Sequence, residues 1–178
     1  MMNNILRNTR LYLVIALFFL AGCENEAQLA PQQPGIAIGA LFPELELVSL
    51  SGESSRLSDF RGKLIVLNIW ATWCPPCRKE LPSLESLGRL LGDEQFVVLG
   101  LSIDEDPLIV REYLADKDIR LPVVFNAQGE LDYAALGINV FPYTFIILPD
   151  GSLAERYPGE KVWNSADVVQ HLRTLVNH

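Results

Sequence analysis

Apolar residues along this chain fall into short runs with two different spacings, separated by Gly, Pro and Asp. Residues 45–50 (LELVSL) alternate in polarity, the period of a half-buried strand, and Ser51-Gly52-Glu53 reads as a turn. Leu64 to Trp70 (LIVLNIW) and Phe96 to Ile103 (FVVLGLSI) are short, β-branched and almost continuously apolar, as strands covered on both faces must be. Leu121 to Phe125 (LPVVF) makes a further short strand. Phe145 to Leu148 turns at Pro149-Asp150-Gly151 into a hairpin partner, Ser152 to Tyr157. Between these runs the spacing becomes helical. Lys79 to Leu91 carries Leu81, Leu84, Leu87, Leu90 and Leu91, with Gly92 as a stop and Pro82 expected to bend it. Pro107 to Lys117 starts with Asp106 as N-cap, and Leu131 to Leu136 closes at Gly137. Ser165 to Val176 sets Val168, Val169, Leu172, Leu175 and Val176 on one inner face. The alternation predicts an α/β domain with a mixed sheet, a pattern that suits several folds.

The N-terminal part has a different grammar. Met1 to Arg10 is a short basic head, and Leu11 to Ala21 (LYLVIALFFLA) is about half the roughly 20 apolar residues that a spanning helix needs. That length behind basic residues reads as a secretory signal peptide. Its end, Leu20-Ala21-Gly22-Cys23, resembles the lipobox of bacterial lipoproteins, in which the leader is cut before the cysteine and that cysteine is lipidated. An ordinary leader with an incidental cysteine, or an uncleaved anchor, is the alternative. Residues 24–35 (ENEAQLAPQQPG) are polar, contain proline and lack any apolar period, so they read as a tether. The expected organisation is a signal peptide at 1–22, a flexible tether at 23–37 after a lipidated Cys23, and one folded domain at 38–178.

Composition narrows the function more than the fold. The chain has 178 residues, 49% of them hydrophobic, enough for one domain plus a targeting segment. Its formal charge is −8, and the leader holds arginines but no acid, so the domain is more acidic still. That balance argues against a nucleic-acid or anionic-membrane surface. Of three cysteines, Cys23 follows the leader directly and has a separate job, which leaves a single Cys-x-x-Cys, Cys74-Pro75-Pro76-Cys77. One such pair is a redox signature rather than a disulfide framework. A closed zinc site needs four ligands, and His171 and His178 lie at the far end of the chain.

The pair follows an apolar strand and opens a helical run, where free N–H groups and the helix dipole stabilise a thiolate. Cys74, first in the pair, is the expected attacking thiolate, and Cys77, one turn further in, the resolving thiol. Pro75 and Pro76 fit a helix start but carry no N–H, which weakens thiolate stabilisation and favours the disulfide, hence a reducing couple. The range open to such pairs runs from about −270 mV (thioredoxin) to about −120 mV (DsbA), and the sequence leans to the first.

Residues Gly62 to Pro82 (GKLIVLNIWATWCPPCRKELP) resemble the active-site segment of the thioredoxin superfamily, and most closely its membrane-tethered TlpA/ResA/CcmG group. Gly137 to Ile147 (GINVFPYTFII) is similar to that group's cis-proline segment, and Asp150-Gly151 to its hairpin turn. The resemblance implies a thioredoxin-like fold with a central mixed sheet flanked by helices, an N-terminal strand extension, and a central insertion at Asp106 to Pro122. It implies a cis bond between Phe141 and Pro142 in a loop that faces the disulfide and receives substrate, with Trp73, Pro75 and Pro76 beside it. It also implies Glu105 as proton acceptor, with Asp104 as fallback, because Asn68 replaces the buried aspartate of plain thioredoxins and cannot titrate. Trp70 reads as core.

The implied activity is a thiol–disulfide oxidoreductase without a bound cofactor or metal. It would reduce exported proteins such as apocytochromes c and draw electrons from a transmembrane thiol carrier of DsbD or CcdA type. A lipid-anchored monomer in the cell envelope is expected. The rival readings are an oxidant or isomerase of exported proteins, a peroxidase, a metallochaperone, and a non-catalytic chaperone that kept the fold.

Overall fold

β3 (Leu64–Trp70) is buried along its whole length and divides its side chains between two cores. Leu64, Val66 and Trp70 face one core, while Ile65, Leu67 and Ile69 face the other. This is the period-two consequence of a strand covered on both sides. The computed structural model describes residues 35–127, 129 and 131–176. The signal peptide, Cys23, most of the tether and His178 lie outside the described residues.

Among the described residues seven strands form one sheet in the order β2-β1-β5-β4-β3-β6-β7. They are β1 (Glu46–Ser49), β2 (Ser54–Arg56), β3, β4 (Phe96–Ser102), β5 (Val123–Asn126), β6 (Tyr143–Ile147) and β7 (Leu153–Pro158). The central trio β3, β4 and β5 is parallel, while β1 and β6 add antiparallel on its two sides. Helices α1 (Pro75–Leu91), α2 (Pro107–Asp116) and α4 (Ala166–Val176) contribute to one core through Leu81, Leu84, Leu87, Val110, Leu114 and Leu172. The opposite core takes Phe42, Leu45 and Leu57, the last from a 3-10 turn at Leu57–Phe60, and also Leu136 from α3 (Tyr133–Leu136). Full burial of a leucine stabilises a fold by about 1.5–3 kcal/mol, so the three α1 leucines alone anchor that helix firmly. Among the described residues no helix is long and apolar enough to cross a membrane.

The topology gathers the loops that carry the motifs. Parallel β3 and β4 end on the same edge of the sheet, and β6 begins there, since Ile69 pairs with Tyr143 and Trp70 with Ser102. The segments after β3, after β4 and before β6 therefore meet, although far apart in sequence. Packing behind that edge is tight. A Cβ added to Gly100 would lie 2.8 Å from Trp70 Nε1, so β4 keeps a glycine where the Trp70 indole crosses it.

Most expected elements occur with shifted ends. α1 starts at Pro75 rather than Lys79, because prolines at its first positions lack only N–H groups that would be free anyway. Asp106 caps α2 through Leu108 N–H, and Gly137 closes α3 in the left-handed conformation at φ 75°. The N-terminal extension is a hairpin rather than one strand. β2 (SSR) has no apolar alternation to announce it and pairs at the sheet edge. On α1, Leu90 is 47% exposed, and the buried stripe instead runs through Cys77, Glu80, Leu81, Leu84 and Leu87.

Candidate active site

Cys74 is the N-cap of α1, with extended backbone at φ −95° and ψ 106°. It is disulfide-bonded to Cys77, the two Cα atoms 5.3 Å apart. Cys77 N–H donates to Cys74 Sγ at 3.3 Å, and Arg78 N–H to the Cys74 carbonyl at 3.1 Å. Pro75 and Pro76 fill the first two helical positions, so the helix start offers Cys74 Sγ a single N–H. Both cysteines are largely covered in this oxidised state. Cys74 is 5% exposed and Cys77 0%, which leaves only the first in reach of solvent.

The loop before β6 flanks the pair. The Phe141–Pro142 peptide bond is cis, Pro142 is buried, and its carbonyl accepts Gly159 N–H at 2.8 Å. Phe141 stands edge-on to Trp73 at 6.2 Å and to Tyr133 at 5.6 Å between ring centroids. Trp73 is itself 62% exposed, and Pro75 next to Cys74 is exposed too. The disulfide thus has an aromatic, water-facing rim on one side and a packed interior on the other. A peptide can gain apolar contact on that rim without unfolding the site.

Glu105 does not belong to the buried site. It lies exposed in the turn between β4 and α2 and makes no hydrogen bond or ion pair among the described residues. It lines an open surface cavity with Asp104 and Tyr133, one residue before the Asp106 cap of α2. Asp104 ties the motif loop to the end of β4, because it accepts from Thr72 N–H (2.9 Å), Thr72 Oγ1 (2.6 Å) and Ser102 Oγ (2.8 Å).

The buried acid is Glu80, 2% exposed and one helical turn beyond Cys77. Residues three apart on a helix share a face. Glu80 Oε1 accepts Asn68 Nδ2 at 2.6 Å, while Oε2 accepts Lys161 N–H at 3.0 Å and Trp163 Nε1 at 3.1 Å. Burial pushes its carboxyl above the ordinary range, and the three donors oppose that rise without cancelling it. Asn68 in turn donates to Thr144 Oγ1 at 2.9 Å. Two signals in the sequence point to this cluster. Asn68 is the one polar residue in the inward series Leu64, Val66, Asn68, Trp70, and Glu80 falls on the Cys77–Leu81–Leu84 stripe of α1. A polar gap on a strand facing an acid on a helix stripe is a buried pair waiting for its donors.

A disulfide opening the helix after the central strand, beside a cis-proline loop on the antiparallel neighbour, defines a thioredoxin-like redox protein. The match is specific: residues 37–172 fit the Redoxin family, and the chain belongs to it. The thiol-disulfide oxidoreductase ResA of Geobacillus thermodenitrificans is 30% identical over 164 residues, covering 91% of this chain and 92% of that one. The thioredoxin-like protein YneN of Bacillus subtilis is 32% identical over 150 residues, 83% of this chain and 86% of that one. Among solved structures, the thioredoxin domain of a Bacteroides vulgatus thiol-disulfide oxidoreductase superposes with a TM-score of 0.67 at 23% identity, covering 80% of this chain and 100% of that one. A thiol:disulfide interchange protein of the thioredoxin family from Chlorobium tepidum gives 0.64 at 24%, covering 79% and 99%. The chain is a thiol–disulfide oxidoreductase of thioredoxin-like fold, with Cys74–Cys77 as its cysteine pair.

Proposed function

We propose that this protein is a reductant of disulfides in exported proteins, held at the outer face of a membrane by a lipid on Cys23. The observation that carries the reducing direction is the single N–H offered to Cys74 Sγ, with Pro75 and Pro76 occupying the positions where two more donors would stand. Fewer donors leave the thiolate less stabilised and the disulfide relatively favoured, so the dithiol gives up its electrons readily. The redox equivalents are held in the cysteines themselves, with no bound cofactor.

In the proposed cycle the Cys74 thiolate attacks one sulfur of a substrate disulfide. A Cys74–substrate disulfide forms, and the other substrate sulfur leaves as a thiolate that takes a proton from water. Glu80, rather than Glu105, accepts the proton of the Cys77 thiol, and Cys77 attacks Cys74 Sγ. The Cys74–Cys77 bond closes, the second substrate thiolate departs, and two electrons have passed to the substrate. A carboxyl with a raised pKa, one turn from Cys77, suits that step because it is a base of strength closer to the working pH. Trp73, Pro75, Pro76, Phe141 and Pro142 form the seat for the substrate chain.

The resemblance to the TlpA/ResA/CcmG group supports apocytochromes c as clients, whose Cys-x-x-Cys-His must be reduced before haem attachment. It also supports a DsbD- or CcdA-type carrier as electron donor. The Leu20-Ala21-Gly22-Cys23 sequence supports the anchor, and the net charge of −8 fits a monomeric extracytoplasmic domain that does not bind nucleic acid.

A Cys77→Ser variant tests the cycle. It should accumulate mixed disulfides between Cys74 and exported proteins, whereas a Cys74→Ser variant should hold none, and identical yields would sink the assignment. Equilibration with glutathione should place the couple near the thioredoxin end, about −270 mV; a value near −120 mV would make the protein an oxidant. Replacing Cys23 with Ala should move the protein from the membrane to the soluble fraction.

A further inference from the structure

Asn68 is fully buried in β3, and its two polar atoms are unequally used. Nδ2 donates both to Glu80 Oε1 at 2.6 Å and to Thr144 Oγ1 at 2.9 Å. Oδ1, equally buried, has no partner among the described residues. The other side of Glu80 is fixed, because the Lys161 N–H and the Trp163 indole N–H on Oε2 can only donate. An ionised Glu80 is therefore matched at every contact. A protonated one is not: its O–H must sit on Oε1, where it meets another donor.

We propose that Asn68 is a positioning residue for the proton step, a reversible amide that donates to ionised Glu80 and turns over to accept from protonated Glu80. The two ends of a carboxamide fill nearly the same space, so a half-turn puts Oδ1 where Nδ2 stood. Oδ1 then accepts from Glu80 Oε1–H and from Thr144 Oγ1–H. The Thr144 hydroxyl can follow because it both donates and accepts. One proton on Glu80 thus reverses two hydrogen bonds and carries its protonation state to β6, two residues from Pro142. In each state one end of the amide lacks a partner, the carbonyl when Glu80 is ionised and the NH₂ when it is protonated. The proposal rests on Glu80 accepting the proton.

The charge of Glu160 acts on Glu80 and raises its pKa further, and other titratable groups stand on the elements around it. α1 contributes Cys77 and Lys79, and residues 159–163 contribute Glu160, paired with Lys79 at 2.5 Å, and Lys161, whose Nζ lies over the Tyr157 and Trp163 rings. β7 contributes Tyr157, whose pKa burial and Glu155 push up to about 12. From β3 comes the neutral Asn68, and from β6 the neutral Thr144 bonded to it. In the oxidised protein the cysteines do not titrate, which makes that state the right one to study.

The test follows the oxidised protein by NMR, with the Glu carboxyl carbons labelled to give the Glu80 midpoint and nitrogen-15 on the Asn side chains. Above that midpoint the Asn68 Nδ2 protons should show Overhauser contact to the Thr144 methyl group; below it they should lose that contact. Glu80→Gln carries a donor where the protonated acid would, so it should hold Asn68 in the turned state at every pH. Contacts that persist on both sides of the midpoint, or a pH-dependent amide in Glu80→Gln, overturn the proposal. If Asn68 turns as expected but Glu80→Gln leaves the pH profile of substrate reduction unchanged, the amide assignment stands and the proton-acceptor role of Glu80 falls. A stationary Asn68 together with an altered profile leads to the opposite conclusion.

Discussion

Glu80 sits where a carboxyl group is hard to ionise, yet every neighbour within hydrogen-bond distance is a donor. Burial raises its pKa above the ordinary value of about 4.3. Between that value and the raised one, the folded chain holds a proton that the unfolded chain has released. Stability must therefore fall as pH rises through that window, and it is regained as pH drops. Urea midpoints across the acid-to-neutral range should show this slope in the parent and lose it in Glu80→Gln. The same substitution should slow the attack of Cys77 on the mixed disulfide by about 10²-fold or more, measured by quenched-flow thiol trapping. The cysteines were legible because their chemistry requires a fixed, close spacing along the chain. Glu80 was not, because an acid in a helical leucine stripe reads as solvent-facing until the strand opposite is known to offer Asn68.

At the level of the element, the start of α1 decides how well a thiolate is held. Pro76→Ala returns one N–H to the end of the helix beside Cys74. A hydrogen bond to a charged group contributes about 1.5 kcal/mol, or roughly 30 mV for two electrons. The variant should be more oxidising by about that amount, with a Cys74 thiol more acidic toward iodoacetamide. The Asp104 tie is a second element-level device. Asp104→Ala frees Thr72 from β4 and should lower stability by about 1–3 kcal/mol in urea titration. Helices α2 and α3 could be read from their caps, Asp106 and Gly137, since cap chemistry is local. β2 could not, because a polar three-residue edge strand is made by its partner β1 and not by its own sequence.

Across the whole molecule, the sheet order does what no single motif can: it brings Cys74, Asp104 and Phe141 to one edge from three separate loops. Strand alternation revealed the fold class, but pairing order is a long-range property, and only the structure shows it. The crossing of Trp70 over Gly100 holds this edge together. Gly100→Ala should lower the melting temperature by an overpacking penalty of about 1–3 kcal/mol, and a further Trp70→Phe change should recover part of it. The three tryptophans are also sorted by that architecture, since Trp70 and Trp163 are fully enclosed and Trp73 alone faces water beside the disulfide. Acrylamide should therefore quench a single emitter, and a docking peptide should shield that emitter and shift its colour toward blue. The protein carries its own optical gauge of occupancy, and an unlabelled client can be titrated against it by fluorescence alone.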